Sequence, residues 1–301
     1  MAARFWRWVL ACDLLVAVTG AELLPGSASR SVGTIAIIAL GIVLGIHALS
    51  LTGSFLLSFI IARQTNPVAH AGRMARAFLV EAVLFGRAIL DMSIAPWRRS
   101  LEIGAPSAGP ARPVLLIHGI LCNGAVWRRW LEPLRAAGFA PVRAIDLEPL
   151  FGDIDAYAAQ VAHELREMQR QCGGARVAII AHSLGGLVAR AALRDVGPAV
   201  VSGIVTIASP NRGVALAHLC PFPPLKNLSP GSRWLRALQA SEIPLKVPFT
   251  CIYSLEDNLI VPIRSAVIEG ARVQELKGLG HVSLLGCRRS IDGAVAALPA
   301  G

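Results

Sequence analysis

The stretch Val177-Ala-Ile-Ile-Ala-His-Ser-Leu-Gly-Gly-Leu187 constrains this chain more than any other. Val177 to Ala181 is an unbroken apolar run, the pattern of a parallel strand buried on both faces, and Leu184 to Arg194 reads as a helix. His182 and Ser183 are left on the corner between them. Ala181 and Gly185 stand two residues either side of Ser183, so backbones can approach closely there and the hydroxyl can stand clear of the sheet edge. The following helix offers its first amides, and the positive end of its dipole, to a negative oxygen developing beside the serine. Ser183 is therefore a candidate nucleophile. A small-x-Ser-x-Gly pentapeptide also arises by chance in an Ala- and Gly-rich chain, so the partners of this serine must come from elsewhere.

A buried strand needs neighbours. Pro113 to Ile117, Pro141 to Asp146, Val200 to Ile207, Pro248 to Tyr253 and Arg272 to Leu276 read as further strands. Helices are expected around Trp127 to Ala137, Ile154 to Gln171 and Ser283 to Ala297. Strands alternating with helices over about 190 residues argue for the α/β class, a mostly parallel sheet with helices on both faces. The ligand site of such a sheet lies at the carboxyl ends of its strands, where His118, Ser183, Asp257 and His281 all fall.

Residues 1–110 are of another kind. The 301-residue chain is 54% hydrophobic and 16% charged, with a mean hydropathy of +0.57, which suggests membrane segments beside a globular core. Gly33 to Ile61 contains no Asp, Glu, Lys or Arg and exceeds the roughly 20 residues that cross a bilayer, so it predicts a transmembrane helix. His47 has no acidic residue in the same span and is expected to face a neighbouring helix. Phe5 to Leu24 is interrupted by Asp13 and Glu22, and reads as a second span, a signal peptide or an interfacial helix. If both segments span, Arg4, Arg7, Arg63, Arg73 and Arg76 lie on one side with only Arg30 between the helices. The positive-inside rule then puts the remaining chain at the cytoplasmic face of a bacterial-type inner membrane, a cleaved leader with a single span gives the same side, and an interfacial helix leaves the side open.

Val68 to Asp91 gathers His70, Arg73, Arg76, Glu81, Arg87 and Asp91 within an arc of about 140° and leaves Phe78, Leu79, Val83, Phe85, Ile89 and Leu90 outside it. Such an amphipathic helix either lies in the membrane interface or covers part of a folded domain. Pro96 ends it, and Ser100 to Arg112, rich in Gly and Pro, reads as a linker. The expected organisation is a membrane anchor over 1–65, an amphipathic helix and linker over 66–110, and an α/β domain over 111–301. The net charge of +10 is carried mainly by arginine, lysine occurring only at 226, 246 and 277. It reads as codon bias in the core domain and as attraction to anionic head groups beside the membrane segments; no segment resembles a nucleic-acid-binding module. The cysteines at 12, 122, 172, 220, 251 and 287 have no C-x-x-C spacing, which indicates neither a zinc site nor a disulfide scaffold.

Five pieces, in order, carry a resemblance: Pro113-Val-Leu-Leu-Ile-His-Gly-Ile120, Ala181-His-Ser-Leu-Gly-Gly186, Ser209-Pro-Asn-Arg-Gly213, Tyr253-Ser-Leu-Glu-Asp257 and Gly278-Leu-Gly-His-Val-Ser-Leu-Leu285. From residue 111 to about residue 286 the chain resembles the α/β-hydrolases and is similar to small bacterial lipases and esterases with an Ala-His-Ser-x-Gly turn; residues 1–110 lie outside the resemblance. A serine hydroxyl is a poor nucleophile near neutral pH until a base takes its proton, and a histidine held by a carboxylate supplies one. The resemblance implies Ser183 as nucleophile, His281 as base and Asp257 as the orienting acid, in the chain order of this fold. Glu256 is the rival acid, and the motif favours Asp257. Of the other histidines, His118 and His182 fall where the family uses them for packing and loop geometry, while His163 and His218 read as helix or loop residues. The amide of Leu184 is one expected oxyanion donor, and the resemblance implies that of Ile120 as the second. Cys122, on the same loop, reads as a small pocket-lining residue. Phe222, Leu225, Trp234 and Leu235, in the connection between Ile207 and Pro248, either line an acyl-binding groove or pack as a surface loop.

Together these features imply a membrane-anchored serine hydrolase of carboxylic esters, lipid acyl esters foremost, working through an acyl-serine intermediate that requires no metal or organic cofactor. A tether raises the effective concentration of the site against membrane substrates. An acyltransferase or amidase would use the same three side chains, and a non-catalytic membrane-bound partner-binding protein would keep the fold without turnover.

Overall fold

The computed structural model describes residues 1–24, 31–65, 71–94, 102–104, 110–219, 223–242 and 245–299. Within them the strands are β1 (Glu102–Ile103), β2 (Val114–Ile117), β3 (Val142–Ile145), β4 (Val177–His182), β5 (Val201–Ile207), β6 (Phe249–Ser254) and β7 (Arg272–Leu276). The helices are α1 (Ala2–Leu23), α2 (Val32–Thr65), α3 (Ala71–Ile94), α4 (Arg128–Ala136), α5 (Ile154–Gln171), α6 (Leu184–Val196), α7 (Pro223–Lys226), α8 (Arg233–Glu242), α9 (His281–Gly286) and α10 (Arg288–Ala297).

The sheet order is β1-β3-β2-β4-β5-β6-β7. Every pairing is parallel except that of β1 with β3. β2 and β4 are buried along their whole length, as their unbroken apolar runs require when helices cover both faces. On one face Leu115, Ile117 and Ile179 pack with α5, α6 and α8; on the other Leu116, Ile180 and Val205 meet Trp127, Trp130 and the helices α9 and α10. Chain order reverses between β2 and β4, which opens a crevice at their carboxyl ends. One buried ion pair ties the connection after β5 to this core: the Arg190 guanidinium on α6 forks onto the Glu242 carboxylate of α8 at 2.6 to 3.1 Å and donates to the Asn211 carbonyl at 2.6 Å.

Three expectations are refined. The stretch expected as a linker supplies β1, whose register sets Glu102 opposite Arg143 and Ile103 opposite Val142. The single helix expected over 283–297 is two, because Cys287 adopts an extended backbone between α9 and α10. His47 does face a neighbouring helix, and its partner there is acidic: Nε2 lies 3.1 Å from the Asp13 carboxylate of α1.

The helices of residues 1–94 pack on the α/β domain at the rim where the strands end. Ser58 Oγ donates to the Asp257 carbonyl at 3.0 Å, the Asn258 amide donates to Ser54 Oγ at 2.9 Å, and the Trp6 indole donates to the Leu121 carbonyl at 2.6 Å. α3 covers the folded domain, the second of its two expected roles, through a mixed face that buries Ala77, Ile89 and Met92 together with one charged residue. Glu81 is only 2% exposed, whereas Leu79, Val83, Leu90 and Ile94 point outward. His70 and Arg30 fall outside the described residues.

Glycine makes the central packing possible. A Cβ at Gly185 would stand 2.6 Å from the carbonyl oxygens of both Ile117 and His118. Gly185→Ala must therefore lift α6 off β2, and is expected to lower the unfolding free energy by about 1–3 kcal/mol, as overpacking does. A urea melt with a wild-type midpoint would contradict that close approach.

Candidate active site

Ser183 occupies the corner between β4 and α6 with φ 54° and ψ −127°. For a residue with a Cβ this is costly backbone, on the order of 1–3 kcal/mol, and persists only where the surroundings enforce it. Here they do. The Ser183 N–H donates to the Ile207 carbonyl at the end of β5 at 2.9 Å. Gly119, at the end of β2, lies so close that a Cβ there would be 2.8 Å from that of Ser183. The side chain is thereby thrown clear of the sheet, at the reversal of strand order.

Two further loops bring their side chains to the same point. His281, after β7, places Nε2 3.0 Å from Ser183 Oγ, and its Nδ1 lies 3.1 and 3.2 Å from the oxygens of Asp257, after β6. With Nδ1–H donating to the carboxylate, Nε2 is left to accept the serine proton. Asp257 is itself held by the amides of Leu259 and Ile260 at 2.8 and 2.9 Å. Burial works to raise its pKa, but the charge and hydrogen bond of His281 and those two amides outweigh it, and the carboxyl ends below its ordinary range. Burial works to lower His281, but the Asp257 charge and hydrogen bond, with a further contribution from Glu81, leave it above the usual histidine value. The rival acid, Glu256, points elsewhere: it accepts from Arg73 of α3 at 2.7 Å and from the Gly278 amide at 2.7 Å.

The other histidines take structural positions. His118 Nε2 accepts the Leu147 amide at 3.1 Å. His182 reaches the His281 carbonyl at 3.2 Å, and burial, with His281 beside it, pushes its pKa down to about 3, so the neutral ring donates Nε2–H there. His163 is exposed on α5.

The expected oxyanion donors sit on the two segments that flank the serine. Leu184 is the first residue of α6, and Ile120 follows Gly119, whose backbone touches Ser183. The next residue, Leu121, has φ 60°, and Cys122 bonds back to the Gly119 carbonyl at 3.3 Å. Leu225 and Trp234 are partly buried against the core cluster that contains α6, with the Trp234 indole donating to Asp155 at 2.9 Å, and Leu235 is buried in that cluster. Phe222 lies outside the described residues.

Sequence reasoning missed the part played by residues 1–94. Trp6 and Leu121 join one cluster with Ile89, Met92 and Cys122, so α1 and α3 pack directly on the loop after β2. Ser54 and Ser58 of α2 touch the acid loop, and Glu81 of α3 touches the loop of His281. The available signal was an acidic residue at 81 among the arginines of one helix face, a pattern that a solvated face also produces.

Residues 114–250 match the model of the alpha/beta hydrolase family. A triacylglycerol lipase from Pseudomonas fragi is 26% identical over 113 residues, which are 35% of this chain and 36% of that protein, so the match spans about a third of the relative's length. The mature form of lipase BlEst2 from Bacillus licheniformis superposes with a TM-score of 0.55 at 18% identity, covering 67% of this chain and 98% of that one. Lipase B of Aspergillus fumigatus does so with a TM-score of 0.57 at 16% identity, covering 90% of this chain and 81% of that one. At such identities the structural likeness shows the fold, and the fold is that of an α/β-hydrolase.

Cys122, on the loop after β2, is a distinct chemical case. Burial pushes its thiol up to about 12, so almost no thiolate exists near neutral pH. Iodoacetamide at pH 8 is expected to leave Cys122 unmodified in the folded protein and to alkylate it after denaturation, as read by peptide mass spectrometry.

Proposed function

We propose that this chain, with the fold of an α/β-hydrolase and a lipase among its sequence relatives, is a serine hydrolase of carboxylic esters held at a membrane. The observation that carries the proposal is the file of three groups, Ser183 Oγ to His281 Nε2 at 3.0 Å and His281 Nδ1 to Asp257 at 3.1 Å. In the reaction, His281 Nε2 takes the Ser183 proton as Oγ attacks the ester carbonyl carbon, and the carbonyl π pair moves onto oxygen. The resulting oxyanion rests on the amides of Ile120 and Leu184. Its collapse breaks the bond to the alcohol oxygen, which leaves with the proton from His281 Nε2. Water then repeats the sequence on the acyl-serine and releases the acid. Asp257 stays ionised throughout and stabilises the transient imidazolium.

Membrane attachment is proposed from α2. Its segment Val32–Ile60, 29 residues long with a mean hydropathy of 2.4, is mostly exposed. At 1.5 Å per residue it reaches about 44 Å, well beyond the ~30 Å hydrocarbon core. The surplus lies at its C-terminal end, where Thr52, Ser54 and Ser58 interrupt the apolar run and where Ser54 and Ser58 bond to the loop of Asp257. The site would then stand at the bilayer surface, with the outward apolar stripe of Leu79, Val83, Leu90 and Ile94 on α3 available to lie in the interface. This placement supports lipid acyl esters as the substrate class, and arginine-rich flanks support a cytoplasmic orientation.

Three measurements bear on this. Ser183→Ala in the full-length protein is expected to lose about three or more orders of magnitude in kcat on a short-chain p-nitrophenyl ester, the usual fate of a triad serine; a loss under tenfold would rule out the nucleophile. Because His281 must be neutral to accept the proton and is held above the ordinary histidine value of 6.5, the rate should fall away along an acid limb lying above that value. Finally, the chain should stay with membranes through an alkaline carbonate wash; its release would remove the anchor and leave the hydrolase reading intact.

A further inference from the structure

The peptide N–H groups of Val282 and Ser283, the two residues that follow His281, each donate to one oxygen of the Glu81 carboxylate at 2.7 Å. Glu81 belongs to α3, outside the α/β domain, and is 2% exposed. The fit is tight: a Cβ on Gly280 would stand 2.6 Å from Glu81 Oε2, so the residue before the base has to leave that space empty. On the other side of the same loop the His281 N–H donates to Asn258 at 3.0 Å, and Asn258 in turn donates to Ser54 of α2. Arg73 adds a third brace through Glu256 to the Gly278 amide.

We infer that Glu81 is a positioning residue of the active site: by holding the two peptide groups after His281 it fixes the backbone that keeps the imidazole within reach of Ser183. The inference rests on the hydrolase reading above and extends it, because the helices before the α/β domain then complete the catalytic loop as well as tethering it. A carboxylate is the group required. Both of its oxygens accept, whereas a glutamine offers one acceptor and sets an N–H against the second amide. The charged and titratable groups facing His281 are Asp257 from the loop after β6, His182 from the end of β4 and Glu81 from α3. Facing Glu81 is His281, and Arg76, on the same helix, lies beside Gly278. Burial raises Glu81 above the ordinary carboxyl range against the opposing pull of its two amides and of His281, and its charge in turn raises His281.

The test uses the full-length protein in detergent, with rates expressed per serine titrated by a fluorophosphonate so that loss of folded protein drops out. Glu81→Gln is expected to lower kcat per titrated site about tenfold, the scale of one hydrogen bond to a charged group, to leave KM within about twofold, and to move the acid limb of the rate to lower pH, since a negative charge near the imidazole is gone. Glu81→Asp keeps the charge and both acceptors on a stem one methylene shorter, and is expected to restore the acid limb and part of the rate. The limb is independent of the amount of active protein, so it reads out even where most of a variant fails to fold. Glu81→Gln with wild-type kcat per site and an unmoved limb overturns the positioning role while leaving the hydrolase reading in place. A wild-type protein that the fluorophosphonate does not label overturns the hydrolase reading itself.

Discussion

The rest of this structure depends on one hydrogen bond, from Ser183 Oγ to His281 Nε2, between residues 98 apart in the chain. Contact at 3.0 Å across that separation cannot come from local sequence. It is imposed by a parallel sheet in which β4, β6 and β7 end at one rim, so that the loops leaving them converge. The sheet sets the meeting point to within a few ångströms, and the remaining precision comes from short-range devices. Ser183 is driven into a left-handed backbone between Gly119 and Gly185, and Asp257 is pinned by two amides of its own turn. The strain at Ser183 is tolerable because its surroundings enforce it: its N–H is held by the Ile207 carbonyl and Gly119 closes in on its Cβ.

Much of this arrangement was legible beforehand because the α/β domain obeys local rules. Buried strands announce themselves as short apolar runs, and β2 to β7 all fall within two residues of the expected ends. Glycine and histidine at strand ends mark where backbones and loops meet, and Ser183, Asp257 and His281 do come together there. The resemblance contributed the choice between Asp257 and Glu256, which adjacency alone left open. The geometry adds a reason: Glu256 is committed to Arg73 and the Gly278 amide.

Residues 1–94 were harder to read, and for a physical reason. Hydropathy and periodicity report how polar a helix face is but not what lies against it. The charged arc of α3 has the composition of a solvated face, and Arg76 and Arg87 are exposed, yet Glu81 from the same arc turns inward to the loop of His281, while Leu79, Val83 and Leu90 of the apolar side turn out and Ile89 is buried. The same limit applies within the helical pair. Asp13, which made Phe5 to Leu24 look like a poor membrane span, is the partner of His47, whose own span holds no acid. Each residue looks anomalous alone, and the pair accounts for both.

The bonds of Trp6, Ser58 and Glu81 to residues 121, 257, 282 and 283 also bear on the order of assembly. The three helices precede in the chain every loop they brace, at residues 121, 257 and 281–283. A nascent chain therefore carries its braces before it has anything to brace, and under the proposed function the catalytic centre would be assembled only when the loop of residues 281–283 folds back onto α3.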